Sequence, residues 1–151
     1  MKIEEFLRSR KVPYTKRHHP EAFTAQEVAA VTHVPGGKML KAVVIRAGDE
    51  YALAVCPASA RISIDALSKI AGQSVRLANE GEMEGIFKDA DLGAEAPIGS
   101  LYGLMTYADD SLSQNKEVVF QAGSHTDVIE ISYADFVKVA KPVTGRFAEH
   151  I

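Results

Sequence analysis

The chain has 151 residues, of which 46% are hydrophobic and 25% charged, and its formal net charge is -3. This length and apolar fraction predict one globular domain over residues 1–151, large enough to bury about two thirds of its unfolded surface. No apolar run approaches the ~20 residues that span a bilayer, and the N-terminus lacks a signal-peptide pattern, so we expect a cytoplasmic protein with no membrane partner.

The first predicted elements are two helices that precede a flexible segment. Apolar residues at helical spacing predict a helix over residues 3–10, which ends before Pro13. The segment Thr24-Ala-Gln-Glu27 has the pattern of a capping box and predicts a second helix that stops before Pro35. The segment Pro35-Gly36-Gly37 is therefore interpreted as a hinge.

A hairpin is predicted directly after this hinge. Residues 41–47 and 51–56 are rich in Val, Ile, Leu and Ala, and Gly48-Asp49-Glu50 separates them as a tight turn. Their continuous apolar character is typical of central strands.

The rest of the pattern interleaves helices with short strands. Helices are predicted over residues 63–71, 79–87 and 132–140, and strands over residues 75–78, 104–107, 118–122 and 127–131. Together these elements indicate an α/β or α+β fold with a mixed, largely antiparallel central sheet flanked by helices.

Lys41 stands where the first apolar strand begins. An ammonium at the edge of an apolar strand loses hydration, so it either extends to water or is directed at an anionic ligand. Lys38, three residues earlier, is an alternative cation for the same role.

A second unusual segment spans residues 92–103. Three glycines and Pro97 interrupt any helical or strand period there. Glycine permits close approach of the backbone to a ligand, and proline fixes φ, so such a loop can present backbone N–H groups to a carbonyl oxygen or a phosphate.

With Gln121-Ala122-Gly123-Ser124-His125, these segments resemble the YbaK/prolyl-tRNA synthetase insertion-domain family of aminoacyl-tRNA editing deacylases. The resemblance covers nearly the whole chain, in the order Lys41, the strand after it, the loop Gly93-x-x-x-Pro97 and the segment Gly123-x-His125. It implies a trans-acting hydrolase that removes a small mischarged amino acid (alanine, serine, threonine or cysteine) from the acceptor end of tRNA. It further implies attack by a water that a ribose hydroxyl activates, without metal or other cofactor, and an aminoacyl-tRNA synthetase as a further partner.

By this resemblance, Lys41 is the essential lysine and binds the terminal phosphate or ribose end of the substrate. Gly93 and Pro97 belong to the loop whose backbone amides, from Gly93 to Gly99, hold the ester carbonyl. The resemblance assigns the substrate pocket to Ala42, Ile98, Gly99, Ser100 and His125.

Two departures from the family pattern affect the pocket. Many members carry a polar residue where this chain has Ala42, and relatives often read Pro-Pro-Phe-Gly where it has Ala96-Pro97-Ile98-Gly99. Ala42 removes a hydrogen bond to the substrate and Ile98 replaces an aromatic wall. The amino acid removed therefore does not follow from any one relative.

The region between residues 8 and 19 is basic, with two histidines and no acidic residue. Its cations, which we predict to contact tRNA, are Arg8, Arg10, Lys11, Lys16 and Arg17. An ordinary solvated face explains this charge equally well without the resemblance. The overall charge of -3 argues against a broad basic surface for long DNA.

Other chemistries are weakly supported. Cys56, the one cysteine, is interpreted as a small buried hydrophobe, since no neighbour in sequence supplies a base. Gly36-Gly37-Lys38-Met39 lacks the hydroxyl residue of a phosphate-binding P-loop, and the histidines have no metal-ligand spacing.

Two alternatives to the deacylase stay open from the sequence. One is a non-catalytic module that binds aminoacyl-adenosine, a nucleotide or a synthetase. The other is a hydrolase of some other aminoacyl ester or amide, for which tRNA would be dispensable.

Overall fold

The computed structural model describes residues 2–87, 90–91 and 93–150, so Leu92, the first residue of the predicted loop, lies outside the described residues. The helices are α1 Ile3–Ser9, α2 Ala25–Thr32, α3 Ile64–Ala71, α4 Glu80–Ile86 and α5 Tyr133–Ala140. The strands are β1 Thr15–His18, β2 Leu40–Ala47, β3 Glu50–Pro57, β4 Ala60–Ile62, β5 Val75–Leu77, β6 Met105–Asp109, β7 Glu117–Gln121, β8 Asp127–Ser132, β9 Val143–Gly145 and β10 Ala148–His150. Two 3-10 helices cover Gly99–Tyr102 and Asp110–Gln114.

The helix starts follow the sequence signals. At α2, Thr24 Oγ1 accepts from the Glu27 N–H at 3.1 Å, and the Glu27 carboxylate accepts from the Thr24 N–H at 3.1 Å. Asn79 and Glu82 form the same reciprocal pair at α4. The predicted capping box at Thr24 is thus confirmed, a second one forms at Asn79, and each satisfies two N–H groups that a helix start leaves without partners.

The strands of the described residues form three sheets. The largest has the order β5-β2-β3-β6-β9, in which β2 pairs antiparallel with β3 and β5, whereas β3–β6 and β6–β9 are parallel. An antiparallel sheet β1-β8-β7 and a pair β10-β4 complete the fold. The predicted mixed, largely antiparallel sheet with flanking helices is confirmed.

The β2–β3 hairpin closes through a two-residue turn. Ala47 pairs with Glu50, and Lys41 pairs with Cys56 at the other end of the same ladder. Gly48 has φ +61°, the left-handed backbone region that such hairpin turns require and that glycine adopts without steric cost.

A short link joins the two larger sheets. Met39 forms a parallel bridge with Val119, and the Val119 N–H donates to the Lys38 carbonyl at 3.1 Å. The start of β2, with Lys41, therefore lies beside β7, which ends at Gln121.

The hairpin separates two clusters of the hydrophobic core, because successive strand residues point to opposite faces. Leu40, Val44 and Leu53 pack into the larger cluster, together with α1 and α5 residues. Cys56 packs into the second cluster, against α3. It is 0% exposed, and burial raises the pKa of its thiol to about 11, although the Lys41 charge opposes this shift. The buried-hydrophobe interpretation of Cys56 is confirmed.

The strands at the C-terminal end were not predicted from the sequence. They are held by Asp109, which ends β6 and is 3% exposed. Its Oδ1 accepts from the backbone N–H groups of Phe147 and Ala148, both at 2.8 Å, and its Oδ2 accepts from the Ser111 N–H at 3.1 Å. A single carboxylate thus anchors the segment before β10 to the central sheet.

None of the helices among the described residues has both the length and the apolar character needed to cross a membrane.

Candidate active site

A cavity of about 150 Å³ lies between the start of β2, the start of α2 and residues 93–103, which we call the glycine loop. Leu40, Lys41 and Ala42 line it from β2, and residues 23–25 line it from the N-terminal end of α2. The remaining wall comes from the loop and from β7, through Gly93, Glu95 and Gln121. Three of the residues predicted for the site, Lys41, Ala42 and Gly93, are therefore brought together.

Lys41 is half-buried in this wall. Among residues 2–87, 90–91 and 93–150, no carboxylate forms an ion pair with its ammonium. Lys38 differs, because its Nζ lies 2.8 Å from Glu130 Oε2. That hydrogen bond is the main cause that lowers the pKa of Glu130. The charge of Lys38 is thus engaged within the protein, whereas Lys41 lines the cavity and has no counter-ion among the described residues.

The glycine loop is fixed to the segment that follows β7. The Gly123 N–H donates to the Ala94 carbonyl at 2.9 Å, and the Asp91 N–H donates to the Gly123 carbonyl at 2.8 Å. Gly93 has φ +86°, where a side chain would be strained. A Cβ on Gly93 would lie 4.0 Å from Cε1 of His125. The loop therefore stands next to the predicted histidine.

The backbone N–H groups of this loop are used more fully than predicted. The Ala94 N–H donates to the Asp91 carbonyl at 2.9 Å, the Ala96 N–H to Tyr102 Oη at 3.0 Å and the Gly99 N–H to Thr106 Oγ1 at 2.8 Å. Proline has no N–H group. Three of the amides from Gly93 to Gly99 that were expected to bind the ester carbonyl already have protein partners. Fewer amides than expected are therefore available to a ligand.

The backbone amides of Gly93 and Glu95 lie beside the Glu95 carboxyl group. Burial raises the pKa of this carboxyl, while the two amides and the nearby His125 oppose the shift. The same amides are the donors of this loop that could bind a developing oxyanion.

Three residues expected in the pocket lie elsewhere. Ile98 is 0% exposed and packs in the larger core cluster. A Cβ on Gly99 would meet the Leu104 carbonyl oxygen at 2.5 Å, so Gly99 serves a close backbone approach. The Ser100 hydroxyl donates to the Val139 carbonyl at 2.7 Å. None of these three residues lines the cavity, in contrast to the position that the resemblance implies.

The buried Pro97 precedes these residues in the loop and does not line the cavity either.

His125 lies beside the cavity, because it contacts residues that line the cavity or precede α2. Its ring lies 4.9 Å from that of Phe23, with the planes tilted by 54°. The Ala22 N–H donates to the His125 carbonyl at 3.1 Å, which fixes the segment before α2 against it. Phe23, which is 57% exposed, therefore forms an aromatic rim that the sequence did not predict.

Glu95 and Gln121 are the other site residues that sequence reasoning missed. They are 5% and 6% exposed. Glu95 Oε1 and Gln121 Oε1 are buried and have no hydrogen-bond partner among the described residues. A signal for Glu95 exists in the sequence, since it is an acid between Ala94 and Ala96 in a loop of small residues.

The basic segment does not line this cavity, and most of its cations have protein contacts. Arg8 donates to Tyr14 Oη at 2.9 Å, Lys16 pairs with Glu4 at 3.0 Å, and Arg17 donates to the Thr32 carbonyl at 3.4 Å. Arg10 lies over the Phe6 ring, and Lys11 follows α1 with φ 58°.

In the part of the chain that the structure describes, no group of three or more His, Cys, Asp or Glu side chains is placed to hold a metal ion. His18 pairs with Asp127 at 2.9 Å, and His19 contacts the Pro20 carbonyl at 2.7 Å.

Comparisons with known proteins add to this geometry. The family model of the aminoacyl-tRNA editing domain matches residues 19–139. A search of the curated proteins finds no match. A hypothetical protein, APE2540, has a crystal structure with a TM-score of 0.89 and 22% identity, covering 99% of this chain and 100% of that one.

Two further solved structures share the fold. A candidate trans-editing enzyme for prolyl tRNA synthetase gives a TM-score of 0.85 at 18% identity, covering 97% of this chain and 94% of that one. A candidate signal transduction protein from Marinobacter aquaeolei VT8 gives 0.76 at 20% identity, covering 96% of this chain but 30% of that one. Since the family model spans well over half of the chain, the protein belongs to the aminoacyl-tRNA editing domain family.

Proposed function

We propose that the protein is a trans-acting aminoacyl-tRNA deacylase that hydrolyses the ester between a small mischarged amino acid and the terminal adenosine of tRNA. The observation that carries this proposal is Lys41, a half-buried cation without an ion pair in the described residues, which shares a small cavity with the Gly93 loop. Family membership supports an editing role. The cavity, which Lys41 shares with the Gly93 loop, supports hydrolysis of an ester.

The size of the cavity supports a small amino acid. A volume of about 150 Å³ equals that of a cavity which holds a molecule the size of benzene. Alanine, serine, threonine and cysteine fit such a space. A synthetase separates substrates that differ by one methylene by only about 1–3 kcal/mol, so a second, smaller sieve improves accuracy.

In the proposed reaction, a water oxygen attacks the ester carbonyl carbon and the bond to the ribose oxygen breaks. A ribose hydroxyl of the terminal adenosine takes part in activating the water. The proton released by the water goes to the leaving ribose oxygen, so the products are a free amino acid and uncharged tRNA. Lys41 orients the phosphate or ribose end, and the amides of Gly93 and Glu95 stabilise the tetrahedral oxyanion.

The direct test is release of amino acid from tRNAs charged with alanine, serine, threonine and cysteine, at enzyme concentrations far below substrate. We expect many turnovers on one or two of these esters, because a catalyst is regenerated after each hydrolysis. Tight binding of the charged tRNAs without release would support the binding-module alternative. Equal hydrolysis of an aminoacyl-adenosine without tRNA would support a general aminoacyl esterase.

We propose that the basic segment between residues 8 and 17 contacts phosphates of the acceptor stem. The double variant Arg10→Gln with Lys11→Gln should weaken tRNA binding and reduce the slope of log K against log salt by about 1–2, since each lost phosphate contact releases one counterion fewer. Binding titrations at several salt concentrations measure this slope. The matched control, Lys69→Gln with Lys138→Gln, removes the same charge from exposed positions in α3 and α5 and should leave the slope unchanged. Equal slopes for both variants would contradict the contact.

We further propose that residues 1–151 act as one editing unit in the cytoplasm, on tRNA that an aminoacyl-tRNA synthetase has charged. The family model, which covers residues 19–139, supports this extent.

A further inference from the structure

Two acceptor oxygens beside the cavity have no donor. Glu95 Oε1 and Gln121 Oε1 are buried and lack hydrogen-bond partners among the described residues, although both residues line the cavity. Buried polar atoms are nearly always hydrogen-bonded, and an unpaired acceptor at a cavity is a reason to look for a ligand that donates.

The orientation of Gln121 follows from its neighbour. Its Nε2 donates to the Gly93 carbonyl at 3.4 Å, and a carbonyl can only accept. The amide nitrogen must therefore face Gly93, which leaves Oε1 as the atom without a partner. The terminal torsions of Glu and Gln side chains are broad, so little energy is needed to turn these oxygens towards a ligand.

The charge of Glu95 selects the kind of donor. Burial raises the pKa of its carboxyl, while the neighbouring Gly93 and Glu95 amides and the nearby His125 favour the anionic form. No cation among the described residues forms an ion pair with it. A buried carboxylate is stabilised by a ligand cation that brings several N–H donors.

The cavity is therefore bipolar. Lys41 offers a positive charge on the β2 wall, and Glu95 offers a carboxylate on the loop wall. A phosphate would be repelled by Glu95 and attracted by Lys41. An esterified amino acid carries its α-ammonium two bonds from the carbonyl carbon and its nucleotide phosphate on the other side of the ester, so it matches both charges.

We propose that Glu95 and Gln121 form the α-ammonium subsite, in which Glu95 Oε1 and Gln121 Oε1 accept hydrogen bonds from the α-ammonium of the esterified amino acid. This inference rests on the proposed deacylase function. In this arrangement, the Glu95 carboxylate contacts the ammonium, and the Gly93 and Glu95 amides bind the ester oxygen. Glu95 and Gln121 are substrate-positioning and specificity residues, and no bond is made or broken at them.

The test uses a stable analogue in which alanine is joined by an amide to 3′-amino-3′-deoxyadenosine, with and without an N-acetyl group on the alanine. Calorimetry should show that the wild type binds the free-amine analogue at least about tenfold more tightly than the acetylated one, equivalent to about 1.4 kcal/mol. Glu95→Gln keeps the size and hydrogen-bonding capacity of the side chain but removes its charge. It should lose this preference by weakening the free-amine analogue alone.

Equal affinity of the wild type for both analogues would overturn the subsite, whatever the stability of the variant. So would a Glu95→Gln variant that keeps the wild-type preference. Gln121→Met, which removes the second acceptor, should reduce the same preference and gives an independent reading. Failure of the deacylase proposal looks different, since the wild type would then release no amino acid from any charged tRNA while its preference for the free amine could persist.

Discussion

Lys41→Ala is expected to lower kcat/KM for hydrolysis of the preferred charged tRNA by at least about 100-fold, because a small misplacement of a bound substrate already costs that much. The Lys41 ammonium has no ion pair in the described residues and lines the cavity, so its charge is available to the substrate. Single-turnover and steady-state rates with the tRNA found in the panel measure the effect.

Lys38→Ala is the matched control for this experiment. It removes the same charge three residues earlier, but its ammonium is paired with Glu130. A pair of this kind at a partly exposed position contributes about 0–1 kcal/mol to stability, so we expect a rate within a few-fold of the wild type. Equal losses in both variants would show that general positive charge, and not the position of Lys41, matters.

The stability of the Lys41→Ala variant should be measured together with its activity. Lys41→Ala removes no ion pair seen in the described residues, so the urea midpoint should stay close to that of the wild type. A large fall in the midpoint would mean that the lost activity reflects unfolding. A full rate in the folded variant would remove Lys41 from the mechanism.

The second large effect is on folding, and it involves Asp109. Asp109→Ala should reduce the free energy of unfolding by about 3–5 kcal/mol, because it leaves the buried N–H of Phe147 and the N–H groups of Ala148 and Ser111 without their acceptor. Urea unfolding at pH 7 measures this difference. Asp110→Ala is the control, since Asp110 is the exposed neighbour, and its effect should stay within about 0.5 kcal/mol.

The difference in unfolding free energy between the wild type and Asp109→Ala should depend on pH. Burial raises the pKa of the Asp109 carboxyl, but hydrogen bonds from the Ser111 hydroxyl and the three backbone N–H groups outweigh it and hold the pKa below its ordinary value of 3.8. A depressed pKa adds stability above the unfolded-state value, and this stability is lost as the pH falls below 3.8 through the folded-state value. The gap between the wild type and Asp109→Ala should therefore narrow below about pH 4. A gap that is constant with pH would indicate that packing, not charge, is what the substitution removes.

The parts of the fold that could be predicted from the sequence are those with local causes. The capping boxes at Thr24 and Asn79 need only four consecutive residues, and the β2–β3 hairpin needs two apolar runs and one turn. The strand Val143–Gly145 and the strand Ala148–His150 are three residues long and depend on partners far along the chain. Asp109 and Phe147 are 38 residues apart, and no local pattern reports such a contact.

Some residues of the candidate site could likewise be predicted from the sequence, and others could not. Lys41 and Gly93 could be predicted because their residue types are unusual at their positions, and both line the cavity. Ile98 and Ser100 do not line the cavity, because Ile98 packs in the core and the Ser100 hydroxyl donates to α5, and a one-turn helix leaves no period in the sequence that would predict this. Glu95 and Gln121 are recognised as site residues only when the hydrogen-bond partners of buried side-chain oxygens are known.

The hairpin turn has a consequence for how the protein tolerates length changes. Gly48 lies seven residues from Lys41, roughly 20 Å along the strand, and the ladder between them runs without interruption to the Lys41–Cys56 pair. In such a ladder a shift of one residue exchanges the two faces of a strand. An insertion or deletion at Gly48-Asp49 that shifted β3 by one residue would place a different residue opposite Lys41 without substituting any residue of the cavity wall. The residue that pairs with Lys41 is therefore determined by the length of a turn at the far end of the hairpin.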